Sequence, residues 1–303
     1  SLKEVIFYYF FVNLFSVLFS YPFLVIAKKI NYKNLSMIGI VSFVIVQLML
    51  NRIMYSNTYL VLLALMYAMY RRGYWIPRRY FNLKVIHKED ISISYAIISV
   101  INQLALIASS YIGAVLLDFV NIGVLTGISV LLFFISIIPL YRMEFESETQ
   151  CSKIKLPETM KKMSFVNIYY FGTYELLNVL KFLFPLYLAI YVKDTYQIVG
   201  ILNVCTNIAT LLFVYLYGKK INGKKNFLQM SIAFCVIIYL LKANNTSYVL
   251  AIISFLEGLC SKMYELSINK EFYTLSKKFE YENYNFAYEF TQNLTRTIVI
   301  LIL

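Results

Sequence analysis

Lys28-Lys29-Ile30-Asn31-Tyr32-Lys33-Asn34 closes one long apolar run, and a segment of the same kind, Lys219-Lys220-Ile221-Asn222-Gly223-Lys224-Lys225-Asn226, closes another 191 residues later. Downstream, Asn57-Thr58-Tyr59 opens one apolar run and Asn245-Thr246-Ser247-Tyr248 opens another, at a separation of 188 to 189 residues. Two landmarks that agree in register predict a chain built from two duplicated halves.

The runs themselves set the solvent. The 303 residues are 60% hydrophobic and 15% charged, with a mean hydropathy of +0.67, whereas soluble domains carry roughly 25% charge. Apolar stretches near 5–27, 35–51, 59–77, 92–117, 122–141, 164–192, 196–217, 227–241, 248–268 and 284–303 read as ten spans. A helix of about 20 residues crosses a hydrocarbon core ~30 Å thick. The fold class is therefore expected to be an all-α integral membrane protein. The ends, Ser1 and the apolar run that stops at Leu303, read as those of an internal fragment.

Between the fifth and sixth spans lies a charged stretch with Glu144, Glu146, Glu148, Lys153, Lys155, Lys161 and Lys162. It predicts an N-terminal bundle over 1–143, a cytoplasmic linker over 144–163 and a C-terminal bundle over 164–303. When alternate loops are assigned to one side, 22 of the 28 Lys and Arg residues fall together, which marks that side as cytoplasmic. The net charge of +12 is thereby read as orientation and contact with anionic lipid, not as a nucleic-acid surface. Arg71, Arg72, Arg78 and Arg79 are read first as cytoplasmic anchors beside the interfacial Tyr74 and Trp75, and second as anion binders.

Several chemistries have no support. Cys151, Cys205, Cys235 and Cys260 show no Cys-x-x-Cys spacing, and His87 is the one histidine, so neither a metal site nor a cofactor is expected. A nucleotide-binding Gly-x-x-x-x-Gly-Lys-Ser/Thr loop is absent from the sequence. No enzymatic activity is expected.

Two repeated halves joined by a cytoplasmic linker, with a basic segment after the first span and again after the seventh, resemble the major facilitator superfamily. Its members have twelve helices in two halves, with basic cytoplasmic loops between helices 2 and 3 and between helices 8 and 9. The resemblance extends over the whole chain and makes the ten spans helices 2 to 11, with helix 1 and helix 12 missing. Gly73-Tyr74-Trp75-Ile76-Pro77 at the end of helix 4, Ser110-Tyr111-Ile112-Gly113 in helix 5 and Asn293-Leu294-Thr295-Arg296 in helix 11 also look like the superfamily. It implies a loop motif formed here by Lys28, Lys29, Lys33, Lys219, Lys220 and Lys224. The motif departs from the family's pattern, because Lys28 and Lys219 stand in place of its acid, and Leu24 and Tyr215 in place of its Gly.

An ionisable side chain at mid-bilayer is costly unless it meets a partner or water. Glu175 and Lys181 lie near the middle of one span, and Glu257 lies nine residues into another, about 13.5 Å deep. Glu175, Asn178 and Lys181 follow at three-residue spacing and form one polar ridge; Asn203 and Asn207, four apart, form a second. With Asn13, Asn102 and Gln103 of the first half, these residues are expected to line a solute or proton path, Glu257 being the first choice for proton exchange. The plainer account pairs Glu175 or Glu257 with Lys181 and leaves the amides to bridge helices.

The expected activity is secondary active or facilitated transport of a small solute by alternating access, with a proton or other ion as a potential co-substrate. The lipid bilayer, not a nucleic acid, is the expected partner, and a monomer in the plasma or inner membrane the expected state. A lipid-linked saccharide flippase and a non-transporting scaffold of transporter descent are the alternatives.

Overall fold

A computed structural model describes residues 2–51, 56–85, 91–142, 165–191, 196–217, 225–243, 247–278 and 281–302, and these are almost wholly α-helical. In chain order the described helices are α1 (Leu2–Ile30), α2 (Tyr32–Leu50), α3 (Asn57–Val85), α4 (Ile91–Phe119) and α5 (Ile122–Arg142). They continue with α6 (Phe165–Tyr191), α7 (Tyr196–Tyr217), α8 (Lys225–Ala243), α9 (Ser247–Lys278) and α10 (Tyr281–Ile302). The linker expected over 144–163 lies outside the described residues.

Two boundaries differ from the sequence reading. The basic segment 28–34 is not an open loop: α1 runs through Ile30 and α2 starts at Tyr32, so the break is Asn31 alone. Asn31 has φ 72°, and its side-chain oxygen accepts from the Lys33 amide at 3.3 Å. Asparagine tolerates positive φ better than most residues and caps a following helix. Pro77, in turn, does not end α3, which continues to Val85. Arg71 therefore sits fourteen residues from the start of a 29-residue helix, roughly 21 Å along it at 1.5 Å per residue.

Among the described residues, five helical segments are long and apolar enough to cross a membrane: Lys3–Ala27, Tyr32–Leu50, Ile97–Leu117, Ile122–Arg142 and Ile198–Tyr217. On α5 the large apolar side chains Leu131, Leu132, Phe134, Ile135 and Ile138 are exposed, while Thr126 is buried and bonds Asn51 at 3.1 Å. Apolar groups outward and polar groups inward invert the pattern of a soluble helix and suit a membrane protein.

The chain forms two compact units. One comprises 1–84, 122–175 and 279–303; the other comprises 85–121 and 176–278. In the first, α1 packs against α10 and α2, and α2 against α5. Its core joins Phe23, Leu24 and Ala27 of α1 to Tyr32 and Leu35 of α2, Ile76 of α3 and Phe286 of α10. Gly39 and Gly73 let α2 and α3 touch: a Cβ on Gly39 would lie 2.7 Å from the Gly73 carbonyl carbon. In the second unit α7 packs against α4 and α9, and α9 also against α8 and α4. Its core joins Phe213 and Val214 of α7 to Leu266 of α9, with Val100 of α4 packed against them.

These cores are related by one offset of 190 residues: Phe23, Leu24 and Ile76 become Phe213, Val214 and Leu266. The same offset carries buried Leu60, Leu63, Ala64, Ala68 and Arg72 of α3 onto buried Leu250, Ile253, Ser254, Gly258 and Lys262 of α9. Ser20 bonds the carbonyl of Ser16 at 2.7 Å, and 190 residues on Thr210 bonds that of Thr206 at 2.8 Å. Asn102-Gln103-Leu104 on α4 likewise answers Gln292-Asn293-Leu294 on α10. Each unit thus holds three consecutive helices of one half (α1–α3 or α7–α9) and the helix that the offset would place fourth in the other half.

Small side chains make the contacts within the second unit. Thr206 and Thr210 bond the carbonyls of Ser254 (3.1 Å) and Gly258 (3.2 Å) on α9, and a Cβ on Gly258 would strike the Thr206 carbonyl. Gly200 faces Ala114 and Ser110 of α4, whereas among the described residues nothing lies within 4 Å of a Cβ on Gly113.

Candidate functional site

In the first unit, α3 and α10 carry a row of charges into the interior. Arg72 donates to Glu289, and Arg79 forms a second ion pair with the same carboxylate. Arg72 is 2% exposed and Glu289 3%, so this pair has left both water and lipid. On the next turns of α10, Asn293 donates through Nδ2 to the Glu289 carboxylate at 3.2 Å, and Arg296 pairs with Glu175 of α6. Glu289, Asn293 and Arg296 fall at i, i+4 and i+7, one face of a helix. Removal of charge from water costs several kcal/mol per ion unless the partner geometry is good. Among the described residues three arginines and two glutamates meet in this row, leaving positive charge in excess.

Arg71 differs from its neighbour. Its guanidinium donates to Asn13 Oδ1 on α1 at 2.9 Å and to Asn293 Oδ1 on α10 at 3.5 Å, and among the described residues no carboxylate pairs with it. The amides are themselves fixed, because Asn13 donates to the Tyr9 carbonyl at 2.7 Å and Asn293 to the carbonyl of Glu289. Tyr8, Tyr9, Tyr67 and Tyr70 form a partly exposed aromatic surround, with ring centroids 5.1 Å apart for Tyr8–Tyr9, 6.4 Å for Tyr8–Tyr67 and 5.6 Å for Tyr67–Tyr70.

The second unit holds a smaller cluster. Glu257 on α9 is buried, receives Lys242 of α8 as its ion-pair partner, and accepts from Tyr239 Oη at 2.8 Å. Lys262, also buried, pairs with Glu265 at 2.7 Å.

The residues singled out from the sequence are distributed as follows. Glu175 and Glu257 are buried, but in different units and with Arg296 and Lys242 as partners; Lys181 is exposed. Asn178 and Asn207 are half-buried and Asn203 exposed. Asn102 is half-buried, and Gln103 is buried with its Oε1 unbonded among the described residues. Of the loop-motif lysines, Lys29 is exposed, while Lys33 donates to the Tyr141 carbonyl and lies 4.7 Å from that ring's centre. The Lys28 side chain and Lys219, Lys220 and Lys224 lie outside the described residues. No group of three potential metal ligands occurs among the described residues.

Glu289 was not read from the sequence as a site residue; Arg72 was read as an anchor or anion binder, not as the partner of a buried carboxylate, and Asn13 as cavity lining, not as a partner of Arg71. The available signal was the i, i+4, i+7 spacing of Glu289, Asn293 and Arg296. No protein-family model matches the chain, and no curated protein matches it.

Proposed function

We propose that this chain is the helical body of a transporter of major-facilitator type that moves a small solute across a cell membrane by alternating access. The observation that carries the reading is the 190-residue repeat. It holds through sequence, burial pattern and the two hydrophobic cores, and it includes the exchange of one helix between halves. Duplicated multi-helix halves are a recognised transporter architecture, and ion pairs held among apolar helices are characteristic of solute and proton paths. The twelve-helix two-bundle arrangement and monomeric operation belong to the same proposal.

Reconstitution of the full-length protein in proteoliposomes, with solute uptake and efflux followed with and without a pH gradient, tests it. Wild type is expected to move at least one solute, and Glu257→Gln to abolish the response to the gradient while leaving exchange between the two sides. If no solute moves, and Glu257→Gln and Glu175→Gln leave cellular growth unchanged, the reading fails.

A further inference from the structure

The 190-residue offset separates the arginines that hold the framework from the one that does not. Arg72 maps onto Lys262; both are buried, at 2% and 3% exposure, and each has its own glutamate, Glu289 or Glu265. A buried, paired cation thus recurs at this position, although its acid does not: Glu289 lies on α10 and Glu265 three residues along α9 itself. Arg71 maps onto Ser261, a half-buried residue whose hydroxyl turns back to the Gly258 carbonyl at 3.4 Å. The repeated framework therefore packs without a cation at this position.

What surrounds Arg71 is suited to an anion. A guanidinium has five N–H donors in a rigid fork; Asn13 and Asn293 take two, leaving three. Because the amides already donate into their own helices, their oxygens face Arg71 and hold the fork in place. Tyr8, Tyr9 and Tyr70 lie within electrostatic range of the Arg71 charge. Arg72, Arg79 and Arg296 exceed the two carboxylates present, so a cation would be repelled.

We infer that Arg71 is the recognition residue for a small organic anion, whose carboxylate or phosphate oxygens take the donors that Asn13 and Asn293 leave open. The inference rests on the transport reading only in naming the anion as cargo. Planar two-point donation makes arginine the better match for such groups, and lysine a weaker one that keeps the charge.

The test uses the full-length protein and four probes: succinate and pyruvate as carboxylates, glycerol 3-phosphate and inorganic phosphate as phosphates. Glucose and choline serve as neutral and cationic controls. Binding is measured calorimetrically in detergent, and movement in proteoliposomes. At least one anion is expected to bind, with affinity falling roughly 100-fold in Arg71→Gln and less in Arg71→Lys. Both variants are expected to unfold at the wild-type temperature. Whether succinate and pyruvate or the two phosphates respond identifies the anionic group. The inference is overturned if none of the four binds up to millimolar concentration, or if wild type and Arg71→Gln bind equally. Arg71-dependent binding without movement across the bilayer would keep the inference and end the transport reading. Movement of glucose or choline, unchanged by Arg71→Gln, would do the reverse.

Discussion

Replacing Glu289 by glutamine strands Arg72. The arginine is 2% exposed, its nearest carboxylate is Glu289, and its Nε already lacks a hydrogen-bond partner among the described residues. Removal of one member of a buried ion pair typically costs about 3–5 kcal/mol, mostly as the penalty of the uncompensated charge left behind. Arg79, the other partner, is 19% exposed and packs its guanidinium 4.8 Å from the Tyr288 ring centre, so its long side chain has a polar exit. The loss therefore falls mainly on Arg72, and Glu289→Gln is expected at about 3–5 kcal/mol. Glu175→Gln is expected nearer 1–2 kcal/mol, because its partner Arg296 is 23% exposed. Thermal unfolding in detergent, followed by circular dichroism, gives the ranking. A double-mutant cycle of Arg72→Met, Glu289→Gln and the two combined isolates the pair, the double variant recovering most of the loss, since no uncompensated charge is left at position 72. Equal effects of Glu289→Gln and Glu175→Gln, or strict additivity in the cycle, would refute the reasoning.

Two further outcomes rest on packing and exposure. Gly73→Ala places a methyl group 2.7 Å from the Gly39 Cα, where backbone rather than a flexible side chain must give way; a loss of about 1–3 kcal/mol is expected by thermal unfolding, against almost none for Gly113→Ala, whose methyl meets nothing within 4 Å among the described residues. Trp75 is the chain's one tryptophan, is 39% exposed, and carries Arg78 4.8 Å above its ring; its fluorescence is expected to be quenched by brominated lipid more than by aqueous iodide, and the opposite order would place this part of α3 outside the bilayer.

The apolar runs were legible because lipid imposes a composition that no soluble helix needs, and every described helix coincides with one of the predicted runs. The repeat was legible in its basic segments and became a single register once burial was added. Partners were harder to read. Lys181 sits closer in sequence to Glu175 than Arg296 does, but spacing along one helix says nothing about which other helix faces it. Arg72 and Arg79 resembled interfacial anchors because they flank Tyr74, Trp75 and Pro77, a combination common at membrane surfaces. The carboxylate that explains them lies 217 residues away from Arg72. The break at Asn31 was hidden inside a run of lysines that looked like an ordinary loop.

The exchange of one helix between halves has a consequence for synthesis. Helices α1, α2 and α3 leave the ribosome long before α10, which completes their unit. At about 5–20 residues per second, the 217 residues between Arg72 and Glu289 take roughly ten to forty seconds to translate. Through that interval a buried-to-be arginine waits for a counter-charge that has not been made. Chains that end between α3 and α10 are therefore expected to be degraded faster than the complete chain, an outcome that pulse-chase labelling of truncated forms would read.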